Sequence, residues 1–92
     1  MDYRFRAVLE QSEGLDAAFV RVPYDLRKEF GKGRLKVEAT FDGVPYSGSI
    51  VNMGVKDDKG GICYVIGVTK AIRKQLGKTF GQEVEVAFVP QL

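Results

Sequence analysis

Histidine and tryptophan are absent from the 92 residues, cysteine occurs once, and proline three times. Without histidine, Ser-His and Cys-His nucleophilic pairs and His-ligated metals are excluded within this chain. A single thiol, Cys63, can form no internal disulfide and no thiolate metal cluster, which fits a reducing compartment. Long hydrophobic runs are missing too. Stretches such as Val84 to Pro90 are interrupted by charge, far short of the roughly 20 residues of a spanning helix. The N-terminal MDYRFRAVLE has no signal-peptide apolar segment, so a cytoplasmic protein with no membrane partner is expected. Charge of one sign is not in excess: 14 basic residues against 12 acidic leave a formal charge of +2. Any affinity for polyanions must therefore come from clustering rather than from composition.

What is present is ordinary globular material, 45% hydrophobic and 28% charged, long enough for one core, so residues 1–92 are expected to form a single domain. Strand patterns dominate. Tyr3 to Glu10 alternates with Tyr3, Phe5, Ala7 and Leu9 on one face. Ala17 to Val22, Leu35 to Phe41, Pro45 to Met53, Ile62 to Val68 and Glu83 to Val89 complete six strands. Asp42-Gly43 is a hairpin dipeptide, Gly48 marks a bulge or a close approach, and Asp57 to Gly61 forms a turning tip. Two short helices intervene. One is predicted over Pro23 to Phe30, with proline in its first turn and Gly31 as its stop; the other follows Thr69 as N-cap and stops at Gly77.

The chain also matches itself. Val22-PYDL-Arg27-Lys28-EF-Gly31-Lys32 aligns with Val68-TKAI-Arg73-Lys74-QL-Gly77-Lys78, and one inserted residue later Val37-Glu38-AT-Phe41 aligns with Val84-Glu85-VA-Phe88. Two ββαβ halves, 1–43 and 44–92, related by a pseudo-two-fold axis would close a mainly β, six-stranded barrel with two short helices and hide the edges each half exposes. Such a repeat bears on fold rather than on function.

The run Arg34 to Phe41 with Asp42-Gly43, then Gly60-Gly61, the Val68-TKAI-Arg73-Lys74 segment and Gly81-Gln82-Glu83-Val84-Glu85-Val86 resembles a bacterial family of domains of unknown function, numbered nineteen-oh-five. The resemblance covers nearly the whole chain, although Gln82 stands where that family usually has aspartate. It implies a double-split β-barrel, similar in shape to bacterial regulator and antitoxin barrels and in some members fused to a YdeI or OmpD-associated (bacteriocin-protection) domain. It implies no activity and carries over no functional residues.

Two basic clusters are the candidate sites. Arg27, Lys28, Lys32, Arg34 and Lys36 stand against Glu29 alone, and Lys70, Arg73, Lys74 and Lys78 against no acid. Related by the repeat, they would form two similar cationic surfaces able to grip a phosphate backbone. Alternatively they complement the negative ends of two helix dipoles. Gly77-Lys78-Thr79 is no phosphate loop: Ile72 stands where the first glycine belongs, and the motif follows a helix instead of opening one. Asp57-Asp58, Glu13 and Asp16 lack the ligand spacing of a metal loop. Ser47, Ser49 and Lys56 have no partner residues that would activate them. Cys63 reads as a small buried hydrophobe, and the tyrosines as packing residues. With no catalytic constellation, metal or cofactor indicated, the expectation is a non-enzymatic binding module, monomeric or homodimeric, for a protein partner or small ligand. Nucleic-acid binding through Arg27, Lys28, Lys32, Arg34, Arg73, Lys74 and Lys78 is the alternative.

Overall fold

Leu35, Val37, Ala39 and Phe41 alternate with Lys36, Glu38 and Thr40, and this period of two buries one face of a strand while leaving the other to solvent. The same rule organises most of the chain. The computed structural model describes residues 3–14 and 16–91. In order they form β1 (Tyr3–Val8), β2 (Glu10–Gln11), β3 (Ala18–Arg21), α1 (Leu26–Phe30), β4 (Leu35–Phe41), β5 (Val44–Val51), β6 (Val65–Val68), α2 (Lys70–Leu76) and β7 (Glu83–Pro90). No helix among them is long and apolar enough to cross a membrane.

All strands join one antiparallel sheet of order β1-β7-β4-β5-β6-β3-β2. Because β1 and β2 are consecutive stretches of one bent strand, the two ends of that order meet and the sheet wraps into a nearly closed barrel. Seven strands stand where six are expected, and the reason lies at Leu9. Its N–H donates to the Gln82 carbonyl (2.9 Å) and its carbonyl accepts from Gly81 (2.7 Å), while Glu10 has already swung across to pair with Phe19 of β3. The strand changes partner there and divides.

Other boundaries shift for equally local reasons. The strand expected over Ile62 to Val68 begins only at Val65: Ile62 bridges Lys56, and Cys63 donates to the Val55 carbonyl, so these residues close a separate hairpin. At its tip the Asp57 carboxylate accepts from the backbone N–H groups of Lys59 and Gly61. The first helix does not hold Pro23 in its first turn. Asp25 is its N-cap, accepting from the N–H groups of Arg27 and Lys28, and Pro23 lies ahead of it outside the helix. Gly48 sits in regular register opposite Val37 with no bulge. It is required because the Tyr46 ring lies over it, so that a β-carbon would fall 2.4 Å from Tyr46 Cε2.

The pairing register follows the internal match. Val20 pairs with Ile66 and Thr40 with Ala87, so each residue faces the one aligned with it in the other half. Both strand pairs thus contain a position that a two-fold relation would leave on its axis. Around them the core gathers Leu9, Val20, Leu26, Leu35, Val37, Phe41, Ile50, Ile66, Val84, Val86 and Phe88, all essentially inaccessible to water. Tyr3 stacks on Phe88 at 4.8 Å, and Tyr24 and Phe30 meet Tyr3 edge-on, seating α1 against one end of the barrel.

Candidate functional site

The two helices end alike. Each stops at a left-handed glycine, Gly31 (φ 68°) or Gly77 (φ 67°), whose conformation turns the chain back toward the next strand. They do not share a face. Because β3 and β6 are antiparallel, α1 leaves beside the Arg21–Val65 end of the pair and α2 beside the Ala18–Val68 end. The two basic clusters therefore lie at opposite ends of the barrel.

They also differ chemically. At the α2 end Arg73 is 7% exposed; its guanidinium donates to Asp16 Oδ1 and to the Asp16 carbonyl, both at 3.2 Å, and sits 4.9 Å from the centre of the Phe80 ring. Lys78 donates to Asp42 Oδ2 (2.6 Å) and to the Glu83 carbonyl (2.7 Å), and Lys70 lies 3.4 Å from Asp16. Hydrogen bonding from Arg73 holds the Asp16 carboxyl below its ordinary pKa. Lys78, aided by the Glu85 N–H, does the same for Asp42. Of the candidates here only Lys74 makes no ion pair among the described residues.

At the α1 end Arg27, Lys28, Lys32, Arg34 and Lys36 are all exposed, and none has an ion pair among the described residues. The register explains this. Arg27 and Lys32 match Arg73 and Lys78, but the residues matching Asp16 and Asp42 are Ile62 and Val89. One half carries its own counter-charges; the other has apolar residues in their places. Asp16 and Asp42 are the partners that sequence reasoning misses, because Asp16 draws attention only as a metal ligand and Asp42 only as a turn residue. The signal that exposes both is the self-match itself, extended by a few positions at each end.

A second feature comes from the strand split. In an antiparallel ladder, alternate residues aim their backbone groups at opposite neighbours. Leu9 bonds to the Gln82 turn, so Phe5 and Ala7 also face β7, while Arg6 and Val8 face away from it. The β2–β3 ladder ends at Glu10–Phe19; beyond it β1 and β3 diverge. Between them opens a groove of about 400 Å³ lined by Ala7, Val8, Pro23 and Cys63, with Arg6, Glu10, Arg21 and Glu83 at its rim. Val8 is 44% exposed there, and Cys63 is half-buried rather than buried as expected. Glu10 bonds Arg21 at 2.7 Å and raises its pKa, and Arg21 also holds the Lys56 carbonyl, so the rim is internally neutralised. Beside the short β5–β6 ladder, α2 packs against β5. Pro23 matches the N-cap Thr69, and α1, capped by Asp25, starts two positions later in the match than α2 does.

Residues 5–88 match a family described as a domain of unknown function, DUF1905. The chain belongs to this family. No curated protein matches it. For this DUF1905 domain the sites thus rest on its own geometry: a largely ion-paired end at α2, an open cationic end at α1, and a groove between β1 and β3.

Proposed function

We propose that the domain is a non-enzymatic binding module whose open split receives an extended segment of a partner protein. The observation that carries this reading is the groove beside β1, where a strand edge at Arg6 and Val8 lies next to half-buried apolar side chains. Main-chain pairing with such an edge supplies affinity and the adjoining pocket supplies side-chain selectivity. Asp16 and Asp42 are both stabilised as anions by cations, the opposite of the raised pKa that a general acid needs at neutral pH. We read the two halves as copies of one unit in a double-split arrangement, and the lone free thiol as fitting the cytoplasm.

Selection of extended peptides from a display library, followed by amide exchange on the complex, tests this reading. Enriched peptides should slow exchange at Arg6 and Val8 and be lost on Val8→Asp. Peptides that bind Val8→Asp as well as the parent, or no enrichment at all, would remove the groove as the site.

A further inference from the structure

We propose that the α1 end of the barrel is a separate site for the phosphate backbone of nucleic acid, with Arg27 and Lys32 as its central contacts. The inference does not depend on the groove beside β1; it rests on the unequal fate of matched residues. Arg73 and Lys78 are spent on Asp16 and Asp42, whereas the positions that match those two acids in the other half hold Ile62 and Val89. Basic residues in the last turn complement the dipole of both helices, Arg27 and Lys28 in α1 and Arg73 and Lys74 in α2, which leaves Lys32, Arg34 and Lys36 beyond α1 unaccounted for by that device. At the α2 end three of the four cations share two carboxylates, whereas at the α1 end none of the five is paired among the described residues.

The local geometry keeps that charge together. A β-carbon at Gly33 would lie 3.1 Å from Arg27 Nη2, so the exposed guanidinium lies beside the loop that carries Lys32 and Arg34. Beyond the loop, exposed Arg34 and Lys36 flank buried Leu35 at the start of β4. The five cations thus run from the last turn of α1 along the start of β4, with Glu29 the one acid interspersed.

Phosphate is favoured over an acidic polypeptide by composition. Three of the five cations are lysines, which protein interfaces deplete and phosphate contacts use freely. Base reading is not built in. Tyr24 and Phe30, the aromatics beside the cluster, are half-buried in the stack with Tyr3, so no open ring face is arranged for stacking. The site should therefore accept duplex and single strand alike and be governed by salt.

Fluorescence anisotropy of labelled short duplex DNA and single-stranded RNA at about 50 and about 200 mM salt tests the site. Four phosphate contacts predict about 150-fold weaker duplex binding and about 50-fold weaker single-strand binding across that range. In the Arg27→Gln/Lys32→Gln variant these factors should fall to about 12-fold and about 7-fold, with affinity at the lower salt down at least about tenfold. Lys74→Gln, at the other end, should bind as the parent does, and thermal melting of each variant should match the parent. Three results would overturn the proposal: no binding at the lower salt, equal weakening by Lys74→Gln, or displacement by poly-glutamate of matched charge as effective as by unlabelled DNA.

Discussion

Arg73 and Arg27 occupy matched positions in the two helices, yet Arg73 lies 3.2 Å from the Asp16 carboxylate and is almost wholly buried, while Arg27 is exposed. A guanidinium withdrawn from water must be paired and hydrogen-bonded to be tolerated, and its alkyl stem then becomes part of the packing. The same residue type in the same place of the repeat therefore has a structural role in one half and is free for other contacts in the other.

The two arginines should separate cleanly in stability. Arg73→Ala removes two hydrogen bonds from a charged donor and the contact with Phe80, and is expected to cost about 2 kcal/mol. Arg27→Ala touches no buried partner and should stay within about 0.5 kcal/mol of the parent. Urea denaturation of both variants decides the matter. Equal losses would mean that the matched positions are structurally equivalent after all.

At the end of α2, Gly77→Val is expected to destabilise more than Lys78→Ala. Gly77 has φ 67°, and an added β-carbon would meet nothing within 4 Å, so its penalty is purely conformational: about 2 kcal/mol for a β-branched residue in the left-handed region. Lys78→Ala gives up a partly solvated ion pair, but Asp42 keeps its bond from the Glu85 N–H, which limits the loss to about 1 kcal/mol. Melting temperatures measured side by side give the order. The reverse order would show that the glycine conformation matters less than the ion pair.

The barrel is largely legible in the sequence because its signals are local: alternation in β4 and β7, Asp42-Gly43 with positive φ at both residues, and Thr69 and Gly77 at the ends of α2. Where the sequence misleads, the deciding interaction is distant along the chain. Nothing near Leu9 announces that the strand divides there; the cause is the turn at Gly81 and Gln82. Likewise the basic clusters look equivalent as strings of letters. They become unlike only when Asp16, fifty-seven residues from Arg73, is brought beside it. The groove at β1 is of the same kind, opening where the strand changes partner and visible only once the ladders are paired.

Asp42 makes the pH dependence of the fold testable. Its carboxyl pKa is lowered chiefly by the hydrogen bond from Lys78, and further by the Glu85 N–H, relative to about 3.9 in the unfolded chain. A depressed folded-state value means that the unfolded chain binds the proton more tightly. The stabilisation is therefore complete above the unfolded pKa and is lost as pH falls through the folded one. Asp42→Asn isolates this effect, since asparagine tolerates the positive φ of 48° and retains an oxygen for the Glu85 N–H while losing the charge. Melting curves from pH 6 downward should show the parent more stable than the variant near neutrality. The gap should begin to close below about pH 4 and shrink further with acid. A gap that stays constant down to strong acid would show that the Lys78–Asp42 contact contributes as a neutral hydrogen bond rather than through its charge.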